Sequence, residues 1–500
     1  MHTDQQRINS IKNKLEQLKE NVHVELKTAK NALPKDFWPT FSAFSNTHGG
    51  TIFLGIEEGS PKNKLTGVNN YKKIIDDLFS TLSNKNKVSY SNISDDDVDY
   101  FTIDGATIIM VNIKEADNKY KPVHLNGQYE FTYIRKHSGD VKVSDEELRI
   151  MLRNSNPVYD TLFVDDFGIE ALDPISIASY KEKVSSRYQS YEFDKLSHQE
   201  FLQRINAAEI VNGKFKIKKG TLLFFGKYTY IKKEFPQFFL DYINKSTEER
   251  RWIDRISSDD LVSVEMNIYN FFNMVFDKLR GILVNKFDLN EESLRIQSPS
   301  FDIAIRESLT NCLAHADYAQ GFPSIKIEAL PGMFVFRNPG QMLIPIEKFI
   351  LGGDSRPRNE IIMSLFRYLG LSERQGEGGP SIFQNAIDNE YREPQINTNL
   401  ESTTLTLWHV DLLESHPELT PDEKEVFIYL NKHGLSKSKE LQSALGMTEY
   451  KVRKSINSLK EKELVTSLGD GRSTKYTISN PRHIITLMQS TLNQFRQELH

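Results

Sequence analysis

Cysteine is almost missing from these 500 residues: Cys312 stands alone. Neither a disulfide framework nor a thiolate zinc site is therefore expected, and a reducing, cytoplasmic setting fits. No apolar run approaches the roughly 18 residues that span a bilayer, and the chain opens on the polar stretch MHTDQQRINSIKNKLEQ. The sequence predicts no membrane partner and no targeting segment. Positive charge is not in excess either: 63 Lys and Arg face 68 Asp and Glu, a formal net charge of −5. A basic coat over the whole molecule is excluded, so any nucleic-acid contact must be local. The Walker-type GxxxxGK[ST] loop is absent, which removes support for a P-loop ATPase. No internal repeat appears, and the acid run SDDDVD at 94–99 reads as a solvated loop.

What is present is length and pattern. Hydrophobic residues at 38% and charged residues at 26% describe a globular chain, and 500 residues suggest about three domains. Residues 5–20 carry helical spacing at Ile8, Ile11, Leu15 and Leu18, and VHVELK then alternates like a strand. LPKDFWPTFSAFSNTHGGTIFLGIEE reads as helix, glycine turn and buried strand, and further strands complete an α+β module over 1–152. A polar helical stretch from Asp173 to Gln203, the apolar run TLLFFG read as a strand, and a second strand around Pro236 to Ile243 fill a middle module over 153–260. Helices resume over Val264 to Arg280 within a third segment, 261–412.

In that segment RESLTNCLAHADY, residues 306–318, puts Glu307, Asn311 and His315 at four-residue steps. On a helix these form one stripe, which faces either water or a ligand. FRNPGQML (336–343), SRPRNEII (355–362) and ERQGEGGPSI (373–382) can be read with it. Glycines running into an apolar helix start offer bare amides and a positive helix end to phosphate oxygens.

In this order the segments resemble the GHKL ATP-binding fold, in the divergent form that accompanies Schlafen-like domains. There the order is E-x-x-x-N, H-R-D-Y, N-P-G, R-N and E-R-x-G-x-G. This chain offers Glu307, Asn311, His315 through Tyr318, Asn338-Pro339-Gly340, Arg358-Asn359 and Glu373 through Gly378. The resemblance implies an α/β sandwich with ATP and Mg2+ as cofactors. Asn311 would hold the magnesium, and Glu307 would orient or deprotonate the attacking water. His315, Asp317, Asn338, Gly340, Arg358, Gly376 and Gly378 would line the nucleotide, with Arg374 on phosphate or on a neighbouring carbonyl. The residue types suit the chemistry, since magnesium prefers hard oxygen ligands and a hydrolytic water needs a carboxylate acceptor. Two positions depart from the pattern: Asn338 stands near the usual adenine-reading aspartate, and Ala316 where relatives carry arginine.

Upstream, Glu20, Glu25 and Lys27 spell E-x4-E-x-K, and the strand after Gly49-Gly50 ends in Glu57-Glu58. This stretch resembles the AlbA-like domain of the Schlafen family. The resemblance implies either a nucleic-acid-binding module or a metal-dependent nuclease with Glu20, Glu25 and Glu57 as metal ligands and catalytic acids. Converging carboxylates would need a divalent cation between them, and such a cation activates water. The alternative is a surface ion pair between Glu25 and Lys27, with Lys27 and scattered basic residues near phosphates.

After Trp408 come helices ending near His433, Leu445 and Lys462 and a hairpin about Gly469-Asp470-Gly471, the order of a winged helix-turn-helix over 418–480. Residues 421–500 hold thirteen Lys and Arg against nine Asp and Glu. Lys451, Arg453 and Lys454 on the third helix, with Arg472 and Lys475 on the wing, are the expected DNA contacts. A final amphipathic helix over 481–500 suggests a homo-oligomer. The whole order, including the middle run ending in F-G-K, resembles an ATP-binding regulator of DNA or RNA in transcriptional control or antiviral defence. A nuclease under ATP control and a nucleotide-gated assembly protein are the alternatives.

Overall fold

A computed structural model describes residues 12–13, 15–155, 159–246, 252–260, 263–287, 299–320, 323–353, 356–372, 376–414, 416–468 and 474–479. The chain divides into two units, parting after residue 157.

In the first unit β1 (Val24–Lys27), α1 (Phe37–Asn46), β2 (Gly50–Leu54), β3 (Val98–Ile103), β4 (Ala106–Ile113) and the hairpin β5 (Tyr133–Lys136) and β6 (Gly139–Lys142) follow in order. The main sheet runs β1-β2-β4-β3, with β1 parallel to β2 and the other pairs antiparallel. Phe37, Phe41 and Phe44 share one side of α1 and are buried with Ile52, Leu54, Ile109 and Val111. Gly50 permits this: a Cβ there would stand 2.7 Å from the Phe44 ring.

The second unit contains α2 (Pro174–Arg187), α3 (Lys219–Phe225), β7 (Leu240–Asn244), β8 (Asp254–Ser257), α4 (Ile268–Phe287), α5 (Pro299–Ala314), β9 (Ile325–Leu330), β10 (Met333–Pro339), α6 (Ile346–Leu351), α7 (Glu360–Tyr368), α8 (Gly378–Asp388), β11 (Gln395–Thr398) and β12 (Ser402–Trp408). Six strands form one sheet in the order β8-β7-β9-β10-β12-β11, where β7 and β9 are parallel. Ile305, Leu309 and Leu313 of α5 are fully buried in the same core as Phe334, Phe336 and Leu407 of the sheet. That buried side turns Glu307, Asn311 and His315 toward a cleft.

Two expectations need correction. TLLFFG is not a strand but most of helix α3. A short apolar run carries no period that separates helix from strand, and Leu222, Leu223, Phe224 and Phe225 are all buried, so alternation never had to appear. The expected boundary at 260 also cuts the six-stranded sheet, because β7 and β8 precede it and pair within that sheet.

Beyond β12 lie α9 (Pro421–His433), β13 (Ser436–Lys437), α10 (Ser438–Leu445), α11 (Glu449–Glu461), β14 (Val465–Leu468) and β15 (Lys475–Ile478), with strand order β13-β15-β14. Thr420 and Glu423 close a capping box at the start of α9, and Thr448 caps α11. Val426, Leu430, Leu441, Val452, Ile456 and Leu459 make the core of this part. The final helix expected over 481–500 and the hairpin tip at 469–471 lie outside the described residues.

Asp160 ties the middle of the chain to this unit. Its carboxylate accepts from the amides of Glu360 at 3.0 Å, Ile361 at 2.8 Å and Ile362 at 3.1 Å, the first turn of α7. Burial pushes this acid up to about 6, against the pull of the three amides, and Glu360 adds to the rise. The folded chain thus holds this proton more tightly than the unfolded one, so the group's contribution falls as pH rises from 3.8 to about 6. Urea unfolding at several pH values should show the parent losing stability relative to Asp160→Asn across that window. A constant difference would refute the assignment.

Candidate nucleotide site

The stripe on α5 opens into a cleft of about 940 Å³ between the sheet and helices α6 and α8. Glu307, Asn311 and His315 line one wall, Asn338 lies at the sheet, and Gly376 and Gly378 line the cleft beside the α5 stripe.

Close approach explains the glycines. A Cβ on Gly378 would stand 2.9 Å from Glu307 Oε2 and 3.4 Å from Asn311 Nδ2. A Cβ on Gly379 would fall 1.8 Å from the carbonyl oxygen of Phe349, which fixes α8 against α6. Gly376 adopts φ +68°, a left-handed conformation natural to glycine. The start of α8, the positive end of that helix, therefore packs closely against the Glu307 and Asn311 side chains at the cleft.

Glu307 is nearly buried, and the Arg306 guanidinium lies 3.3 Å from its Oε1. Burial and the neighbouring Arg358 charge push His315 down to about 4, so its imidazole is neutral at pH 7. Asn338 is buried, and its Nδ2 donates to the Pro339 carbonyl at 3.0 Å. The Asn311 amide oxygen fits a magnesium ion with its phosphates, since magnesium takes few protein ligands and keeps waters, and the Glu307 carboxylate one turn away fits a water acceptor.

Three expected nucleotide contacts lie behind the wall instead. Arg358 donates from Nε to the His315 carbonyl at 3.1 Å and from Nη2 to that of Gln341 at 2.8 Å, and it stands 3.7 Å from Asp317. Gly340, at φ +91°, leaves room for that pair: its Cβ would meet Asp317 at 2.9 Å and Arg358 at 3.1 Å. Asn359 donates to the carbonyls of Ala314 at 2.9 Å and Ala316 at 2.7 Å. Arg358, Asn359, Asp317 and Gly340 thus close the C-terminal end of α5, whose last carbonyls have no partner within the helix. They hold the site's frame. Arg374 lies outside the described residues.

Arg356, Ser372 and Thr403 also line the cleft and were not singled out from the sequence. Arg356 sits two residues before Arg358 in SRPRN. Nothing in that string tells which arginine faces inward.

In the first unit Glu25 is buried between two cations, 2.8 Å from Lys27 Nζ and 2.6 Å from Arg135 Nη2. Lys27 also pairs with Asp36 at 2.9 Å, and Arg135 with Asp140 at 2.8 Å. The expected surface pair is in fact the middle of a buried network. Glu20 accepts from the Leu26 amide at 3.1 Å, on the open edge of β1, and burial raises its pKa. Glu57 is exposed and lines a smaller pocket with Lys27, Asp36 and Glu58. Among the described residues no three acidic, histidine or cysteine side chains stand together as metal ligands. Glu20 lies within reach of the charges of Glu25 and Glu58, while Glu25 is held between its two cations and Glu57 stands exposed at the pocket.

At the other end Lys451, Arg453 and Lys454 are exposed along α11, with Lys451 3.2 Å from Asp422, and Lys475 is exposed on β15. Arg472 falls outside the described residues. Among the described residues no helix is long and apolar enough to cross a membrane.

Family models match three stretches. Residues 20–144 match Schlafen, AlbA_2; residues 149–241 match a domain of unknown function; residues 323–407 match "Putative ATP-dependent DNA helicase recG C-terminal". A comparison with curated proteins finds no match. Among solved structures, the DIP2311 protein from Corynebacterium diphtheriae is similar at 15% identity over 96% of this chain and 100% of that one, with a TM-score of 0.43. The N-terminal domain of an ATP-dependent DNA helicase RecG-related protein from Nitrosomonas europaea is 21% identical over 28% of this chain and 92% of its own, with a TM-score of 0.20. From the two family matches with assigned domains, the chain carries a Schlafen AlbA_2-like domain and a divergent ATPase-like domain.

Proposed function

We propose that this chain is an ATP-binding regulator of nucleic acid, in which nucleotide in the cleft controls how the flanking domains engage DNA or RNA. The observation that carries the reading is the juxtaposition of Glu307 and Asn311 with the glycine-rich start of α8 in one cleft. Asn311 would hold a magnesium ion through its amide oxygen. Magnesium, when bound, neutralises phosphate charge and polarises the bond to be broken. Glu307 orients the attacking water and accepts its proton, while the α8 amides and Arg356 face the phosphate oxygens. Neutral His315 supplies a hydrogen-bonding group to the wall without adding positive charge.

The nucleic-acid side of the reading is supported by the two ends of the chain. Three helices with a three-stranded sheet whose first strand follows α9 and whose other two follow α11, and exposed Lys451, Arg453 and Lys454 on the third helix, support a winged helix that docks on DNA. Lys27 is buried in its ion network and is not available to phosphates, so a second contact from the AlbA_2 domain runs through exposed Lys30, Lys35 and Lys136.

Calorimetric titration of Mg·ATP, paired with phosphate release, tests the nucleotide part. The parent chain is expected to bind, and Glu307→Ala to bind with turnover reduced by about a hundredfold or more. No affinity at millimolar ATP would sink the reading. For the DNA part, reversing Lys451, Arg453 and Lys454 to glutamate should weaken binding and flatten the dependence of log affinity on log salt. An unchanged salt slope would point to a docking or assembly role for that domain.

A further inference from the structure

Helix α7 belongs to the cleft wall through Met363, whose sulfur accepts from Ser372 Oγ at 3.1 Å; both residues line the cleft. The two residues before α7, Arg358 and Asn359, clasp the end of α5, the helix that carries Glu307 and Asn311. A shift of α7 therefore moves two walls of the same site.

Both ends of α7 are held by side chains from the stretch that matches the domain of unknown function, residues 149–241. At the first turn Asp160 takes three amides. Near the last turn the Tyr180 hydroxyl donates to the Leu365 carbonyl at 2.8 Å, one of the four that lack a partner inside the helix. Just beyond, Gly370 sits where a Cβ would fall 2.0 Å from Arg187 Nη1. The grip is stiff as well as complete. Gly220 on α3 leaves room for Asp160, since a Cβ there would stand 2.7 Å from its Oδ2, and the Tyr180 ring is fully buried against Phe224, Phe225 and Tyr269.

We infer that Asp160 and Tyr180 are positioning residues for the nucleotide cleft, acting through α7, and that the 149–241 module is the part of the chain that reads whether the cleft is filled. The inference rests on the nucleotide reading above. Coupling between sites is reciprocal: if a filled cleft shifts α7 against this module, then loosening the module's grip must weaken the ligand by the same factor. A cap that only stabilised the helix would lower the melting temperature and leave the affinity of the folded chain unchanged.

The test is titration of Mg·ATP into the full chain as parent, Asp160→Ala, Asp160→Asn and Tyr180→Phe, with melting temperatures measured alongside. Asp160→Ala is expected to bind about tenfold more weakly, in the usual range of coupling energies. Asp160→Asn should recover most of that loss, because its amide oxygen still accepts from the α7 amides. Tyr180→Phe keeps the ring packing, removes one hydrogen bond and is expected to bind about threefold more weakly. A folded Asp160→Ala chain that binds as the parent does overturns the inference. Should that variant fail to fold, Tyr180→Phe decides by the same criterion. A parent without affinity for Mg·ATP fails the nucleotide reading and this inference together, whereas a parent that binds beside variants that bind equally well fails the inference alone.

Discussion

Asn311→Ala is expected to lower the affinity for ATP about a hundredfold in the presence of magnesium and to leave the weak affinity in EDTA nearly unchanged. Asn311 is half-exposed at the cleft wall, so its side chain contributes little to the core and the variant should fold. Its side chain stands at the start of α8 beside Glu307, where a Cβ on Gly378 would sit 3.4 Å from its Nδ2. Removing its amide oxygen takes away an ion ligand and leaves the rest of the cleft in place. The magnesium dependence separates a ligand from a packing residue: loss of packing would weaken binding equally in EDTA. Equal loss under both conditions, or no loss, would remove Asn311 from the metal role. Turnover should fall at least as far as affinity, because the same ion offsets charge on the phosphates.

Much of this site could be read along the chain because it is written on one helix. The four-residue steps of Glu307, Asn311 and His315, set against buried Leu309 and Leu313, settle which side of α5 faces the cleft. The glycines before α8 were equally legible, since close approach leaves few other residues possible. Arg358 and Asn359 were not. Whether a polar side chain meets a ligand or a helix end depends on which carbonyls lie nearby, and those of Ala314, His315 and Ala316 are more than forty residues away in sequence. The same holds for α3, where burial on every side erases the alternation that tells strand from helix. Glu25 and Lys27 were correctly seen to share a side of β1. Their burial was invisible because Arg135 and Asp140 arrive from a distant hairpin.

That network carries the other large effect: Glu25→Ala should destabilise the first unit by about 3 kcal/mol, the low end of the loss expected when one member of a buried ion pair is removed. The low end applies because each cation keeps a second acid, Asp36 for Lys27 and Asp140 for Arg135. Arg135 also keeps its bond to the Asn21 carbonyl at 3.0 Å and its place over the Phe44 ring. What is lost are two charge-assisted hydrogen bonds, at 2.8 and 2.6 Å, in a site that salt scarcely screens. Burial works against the Lys27 charge, yet Glu25 and Asp36 together raise its pKa, so the ammonium persists and must find new partners when Glu25 goes. Glu25→Gln, which keeps the shape and one acceptor, should cost about half as much. Urea unfolding of the full chain, followed by a probe in the first unit such as Trp38 fluorescence, measures both. The result also bears on the nuclease alternative, because an acid already bound to two cations has little capacity left for a divalent ion. If Glu25→Ala proves as stable as the parent while a magnesium-dependent cleavage disappears, the carboxylate is a metal ligand and the buried network is not its role.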